Sequence, residues 1–250
     1  MPVPIPRVII EAMQIPRDLT QPRTTDIAAE SARFMTRVYT WMTAGIGISG
    51  GVAYAVSESP DLMKAIFGNP ILYIGLFVAQ IGAVMFLSFA LPKISSITAT
   101  LTYLVYSVLT GVTFSVIFMV YTHSSIASIF WLTAISFGGL STFGFVTKRD
   151  LGPIGSFCAM GLFGLVGYGL LSIFFPGMMS GVAERTYSLI GVVVFSGLTA
   201  YDTQKIKAFN TMNSEGSEAG RKAAIFGALM LYLDFVNLFM SLLRLMGRRK

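Results

Sequence analysis

The sequence predicts an all-α, polytopic membrane protein with seven transmembrane helices. Three observations carry that expectation. Of its 250 residues, 54% are hydrophobic and only 12% are charged, whereas soluble domains carry about 25% charged residues. The mean hydropathy is +0.71. The apolar residues fill the chain after a polar start, in blocks close to the ~20 residues that cross a bilayer core at about 1.5 Å per residue.

Residues 1–33 read as a polar N-terminal tail, and residues 34–250 as one membrane domain. The opening MPVPIPRVIIEAMQIPRDLTQPRTTD holds five prolines and scattered charge, without the apolar run of a secretory signal. From Asp26 the pattern predicts an interfacial helix, with Arg33 and Arg37 four residues apart on one side. The spans follow at residues 38–57 and 71–91, the second closed by Pro92 and Lys93. Residues 94–147 hold no Lys, Arg, Asp or Glu, too long a run for one helix and suited to two with a turn around His123. The fifth span is 151–175, ended by Pro176 and Gly177; the sixth is 186–204 and the seventh 223–243. No internal repeat is evident, which argues against an inverted-repeat transporter.

Lys and Arg placement orients these spans. With a cytoplasmic amino end, the basic residues of the tail fall inside, with Lys93, Lys148, Arg149, Lys205, Lys207, Arg221 and Lys222, while the outer loops keep only Lys64 and Arg185. The carboxyl end opposes the pattern, because a seventh crossing puts Arg244, Arg248, Arg249 and Lys250 outside. That segment either crosses against the bias or enters and returns; crossing is favoured, since late charges weigh less than the first helices. The net charge of +6 comes from short clusters between apolar blocks, so it reads as a topology signal and not as a nucleic-acid surface. The lipid bilayer is the expected partner.

Little conventional catalytic chemistry is offered. Cys158, the single cysteine, lies in an apolar block and reads as core. The sole histidine, His123, stands in a predicted turn, so histidine zinc sites, paired-histidine haem and a buried serine–histidine pair are unavailable. There is no glycine-rich phosphate loop. No cofactor is expected, and the chain is not read as an enzyme.

Two acids fall inside predicted spans, Asp202 in FSGLTAYDTQKIK and Asp234 in LMLYLDFVNLF. An acid at the centre of a bilayer helix costs about 2.5 to 3.5 kcal/mol on insertion scales, so it marks a functional position. Asn237 and Ser241 extend a polar stripe from Asp234 that faces protein or water, and Thr199 stands one turn before Asp202. Asp202 also reads as an ordinary interfacial acid beside Lys205. The predicted ends place Asp234 about 16 Å deep from residue 223, too far from Asp202 unless one of the helix boundaries moves. If the acids do meet, they cannot both ionise easily in low dielectric, and the pair shares a proton.

The run YSLIGVVVFSGLTAYDTQKIK followed by LMLYLDFVNLFMSLLRLMG closely resembles the carboxyl-terminal signature of the Bax inhibitor-1 (TMBIM) family, bacterial members included. FMTRVYTWMTAGIGISGGVAY is similar to that family's opening. The resemblance spans about residues 34–247 and is strongest in the last two spans. It implies seven helices with the last surrounded by the other six, and a calcium leak gated by pH. It assigns the paired proton sensor to Asp202 and Asp234. The polar stripe adds Asn237 to their ion pathway, and the two carboxylates are the candidate ligands for transient calcium. A basic latch near the inner end of the second span would fall to Lys93, where the chain reads Leu91, Pro92, Lys93; lysine lacks the guanidinium fork.

The leading expectation is therefore a proton-regulated passive conduit for calcium or other cations, since carboxylates are hard oxygen ligands that protonation removes. A second is a regulatory protein that restrains a membrane protein partner, such as a quality-control protease. A remote third, an intramembrane aspartyl protease, meets Leu-Tyr-Leu-Asp where those enzymes resemble one another in Gly-x-Gly-Asp, and their Pro-Ala-Leu motif is missing. The expected location is a bacterial cytoplasmic membrane, amino end inside.

Overall fold

The structure, a computed structural model, describes residues 24–212 and 217–250; most of the predicted tail lies outside them. Among the described residues the secondary structure is helical, with no strand. The helices are α1 Thr24–Ser57, α2 Pro60–Phe67, α3 Pro70–Ala90, α4 Ser96–Phe114, α5 Ile117–Val120, α6 His123–Val146, α7 Gly152–Phe174, α8 Val182–Met212 and α9 Glu218–Met246. A 3-10 turn at Pro176–Met178 precedes α8.

Polar joints in the sequence stop one helix and start the next. The side chains of Ser59, Asn69, Ser95, Thr122 and Ser217 accept from first-turn amides of α2, α3, α4, α6 and α9, groups that lack a carbonyl partner within the helix. Pro60 and Pro70 follow two of these caps, where a missing N–H loses no bond.

Five segments are long and apolar enough to cross a membrane: Pro70–Ala90, Ser96–Val120, His123–Val146, Gly152–Phe174 and Glu218–Met246. α1 and α8 are longer, at 34 and 31 residues, but hydroxyls, tyrosines and glycines thin their apolar content. Large apolar side chains such as Ile71, Phe89, Phe163 and Ile173 stand exposed on the outside of the bundle. The chain is an integral membrane protein.

The last helix is the core of the bundle. Of its apolar window 61% is buried in the protein, against 6% for Pro70–Ala90. α9 packs directly on α8, α1, α6 and α4, while α3 rests on α4 and α2, and α7 on α8. The implied ring of six is thus an inner ring of four with α3 and α7 outside it. Small residues bring these backbones together where no water drives association. A Cβ on Gly144 would strike the Ala200 carbonyl, and one on Gly111 the Ser49 carbonyl.

Several boundaries differ from those the hydropathy pattern predicts. α1 is continuous from Thr24, so no separate interfacial helix precedes the first span; α8 runs on to Met212, and α9 starts at Glu218. Hydropathy marks where lipid ends, but good helix formers such as Glu30, Gln204 and Lys205 carry the backbone ladder past that point. Consequently Lys205 and Lys207 lie on a helix and not in a loop. The short α2 lies in a segment read only as a loop. The apolar run 94–147 divides at Tyr121 and Thr122, next to the expected His123.

α9 is unbroken, so the segment crosses the bundle and does not return. The final residues dock on the turn between α5 and α6. Thr122 N donates to Arg248 O (3.1 Å), Lys250 N to Val120 O (2.9 Å) and Arg248 N to Ser125 Oγ (2.9 Å). Lys250 Nζ donates to Phe118 O at 2.7 Å, and the Arg249 guanidinium pairs with Glu184 at the start of α8. Two of the charges that oppose the orientation bias, Arg249 and Lys250, are thereby tied to a carboxylate and a carbonyl.

Candidate functional site

The rotation of α9 is set by a buried tyrosine. Tyr232 OH and Ser49 Oγ of α1 lie 2.6 Å apart, and Ser49 Oγ also sits 2.7 Å from the Ser107 carbonyl of α4. The rings of Tyr103 and Tyr106 meet the Tyr232 ring edge-on, with centroids at 6.1 and 5.6 Å. Two residues along an α-helix turn by about 200°, so pinning Tyr232 toward α1 and α4 turns Asp234 away from them. At the start of α9, Lys222 Nζ donates to Pro92 O (3.3 Å) and Ile94 O (3.1 Å), and Glu218 Oε1 accepts from Ser96 N (3.1 Å).

The level of Asp234 against α8 follows from two close approaches. A Cβ on Gly191 would strike Ser241, and one on Gly227 would strike Ile206, so the helices run antiparallel with these residues opposed. Asp234 lies midway between Gly227 and Ser241, and the matching midpoint on α8 falls at Leu198 and Thr199. Asp202 is three to four residues from that level, an axial offset of about 5 Å. The depth conflict in the sequence reading therefore comes from its helix ends, which stop α8 short of Met212 and start α9 after Glu218.

Asp234 is 5% exposed, and its Oδ2 is buried without a hydrogen-bond partner among the described residues. Its electrostatic neighbour is the Asp202 carboxyl, which in turn feels Lys205. A buried polar oxygen without a partner costs roughly 1–3 kcal/mol, so the position is held at the expense of stability. Around it Thr199 and Thr203 are fully buried; Thr203 Oγ1 lies 2.7 Å from Thr199 O and 3.3 Å from Ser141 Oγ of α6.

The structure separates the polar stripe read along α9. Asn237 and Ser241 line a cavity of about 400 Å³ on the side toward the carboxyl terminus, whereas Asp234 lies beneath it among packed side chains. Asn237 Nδ2 donates to Leu233 O (2.8 Å), and Ser241 Oγ to Asn237 O (2.8 Å). Lys93 stands exposed in the turn after α3. It is Lys222, read from sequence only as a topology charge, whose side chain reaches that turn.

No group of three or more His, Cys, Asp or Glu side chains converges among the described residues. Calcium takes six to eight oxygens. The aspartate pair alone falls short of such a shell.

Residues 31–250 match the family described as inhibitor of apoptosis-promoting Bax1. A chain from Borreliella burgdorferi is 42% identical over 233 residues, covering 93% of this chain and 98% of the relative. The inner membrane protein YbhL of Escherichia coli K12 is also 42% identical over 233 residues, covering 92% and 98% respectively. A chain from Deinococcus radiodurans is 36% identical over 231 residues, covering 92% and 96%.

Proposed function

The chain belongs to the Bax inhibitor family, and from that premise we propose that it is a pH-regulated passive leak for calcium. On this reading it makes seven crossings, α1 and α8 joining the five more apolar segments. The amino end is cytoplasmic and the membrane is the bacterial inner membrane, the location named for the relative YbhL.

One observation carries the reading: Asp234 Oδ2 is buried and unpartnered on the central helix, with a second carboxyl as its electrostatic neighbour. A shared proton lets the pair sit inside the closed bundle. Its release leaves two like charges that repel in low dielectric and attract a divalent cation. The central helix bears one carboxyl and α8 the other, so the proton acts on the bundle's most intimate interface. Asn237 then belongs to the outer part of the path. Lys222 holds the inner end of α3 in the manner expected of Lys93. No chemistry is catalysed.

Calcium efflux from vesicles tests this, measured against pH for the natural chain, Asp202→Asn and Asp234→Asn. The natural chain should leak more as the pair loses its proton, and each variant should lose that dependence. Efflux indifferent to pH in the natural chain would remove the proposal.

A second reading, a protein that restrains a membrane partner, draws on a groove of about 680 Å³ between α1 and α6. It is lined by Tyr39, Met42, Trp131 and Phe137, side chains suited to a partner's transmembrane helix. Partner capture that survives the double aspartate variant would separate this role from the leak.

A further inference from the structure

The cavity above Asp234 has a composition that a cation passage does not explain. It is enclosed by α3, α4, α7, α8 and α9, and its walls include Gln80, Thr110, Thr113, Asn237 and Ser241. Among the described residues its one charged lining residue is Arg244, and no acid lines it. A vestibule serving only divalent cations would reverse that choice.

Arg244 lies exposed at the rim, with its guanidinium carbon 5.9 Å from the centre of the Tyr187 ring. At that range the ring attracts the guanidinium charge without using its N–H groups. No hydrogen bond or ion pair engages the Arg244 side chain among the described residues. Wall groups below it are largely occupied: Gln80 Nε2 donates to Thr113 Oγ1 (2.7 Å) and Leu76 O (3.2 Å), and Ser241 to Asn237 O. Arg244 is therefore the cationic group of the cavity that is open to an incoming acceptor.

The remaining walls are apolar, with Phe77 on α3 and Leu162, Leu165 and Val166 on α7. α3 and α7 thus supply the cavity's apolar side. A guanidinium above apolar walls matches an oxyanion attached to an apolar chain.

We propose that this cavity is a binding site for an oxyanion, a phosphate or carboxylate group, with Arg244 as its partner and the apolar walls of α3 and α7 available to any chain the oxyanion carries. The site shares Asn237 with the outer part of the proposed cation path, and its test contains no calcium, so the two readings fail separately. The same headgroup chemistry reaches it from an anionic lipid or from free phosphate in water.

The full chain is placed in nanodiscs of phosphatidylcholine, with and without phosphatidylglycerol, and separately in phosphatidylcholine with inorganic phosphate. Unfolding temperature is read for the natural chain, Arg244→Gln and Arg244→Lys. Phosphatidylglycerol should raise the midpoint of the natural chain by several degrees; Arg244→Gln should lose that gain, and Arg244→Lys should keep less than half of it. An Arg244-dependent gain from inorganic phosphate alone also supports the site and identifies its occupant as a free anion. Equal gains in the natural chain and in Arg244→Lys, or no gain from either anion, overturn the proposal. Should Arg244→Gln fail to fold, the lysine variant carries the comparison, because it retains the charge and lacks only the fork.

Discussion

Replacing Asp234 by asparagine removes one charge from the aspartate pair at almost constant volume, so neither a cavity nor overpacking complicates the result. The two residues are offset by about 5 Å in level along the helices and their carboxyls interact electrostatically, which corresponds to a separation on the order of 5 to 8 Å. At an effective dielectric of about 20, two unit charges at that distance interact by about 2 to 3 kcal/mol. With about 1.4 kcal/mol per factor of ten, the state of one acid changes the proton affinity of the other by roughly thirty- to two-hundred-fold. Calcium efflux from vesicles across the acid-to-alkaline range reads this coupling. The natural chain should show at least a tenfold change, while Asp234→Asn and Asp202→Asn should each be nearly flat. The double variant should add nothing further, because either single change already dissolves the pair. If each single variant keeps about half of the dependence and the two effects add, the acids act independently and the reasoning fails.

Three other changes probe the scaffold. Gly144→Leu forces a side chain into the Ala200 carbonyl and should lower the unfolding temperature in detergent by several degrees, whereas Gly164→Ala, with open space at that position, should leave it unchanged. Tyr232→Phe deletes the hydroxyl beside Ser49 and should cost about 1 kcal/mol, read in the same assay. Lys222→Met frees the carbonyls of Pro92 and Ile94; amide exchange in residues 93–98 should quicken while exchange in the centre of α9 stays slow.

The membrane class and the order of the long helices are legible in the sequence because lipid demands apolar runs of a fixed minimum length. Asp234 is legible for the same reason, as a lone acid in LMLYLDFVNLF. The helix ends are not, because hydropathy reports the solvent around a helix and not the hydrogen-bond ladder within it. The closeness in level of Asp202 and Asp234 depends on the register of α8 and α9. That register is set where Gly191 and Gly227 meet the neighbouring helix, and nothing local separates these from other glycines. Lys93 and Lys222 are equivalent as topology charges; only the packing of α9 beside the α3–α4 turn gives Lys222 the carbonyls. Gln80 is a readable signal, the one strongly polar side chain in PILYIGLFVAQIGAVMFLSFA, and a lone amide in such a run anticipates a polar cavity behind it.

The docked carboxyl terminus has a practical consequence for anyone labelling this protein. A reporter fused after Lys250 that pulled the last three residues off the α5–α6 turn would part Arg249 from Glu184. The freed cationic end would then be at liberty to seek the opposite side of the bilayer.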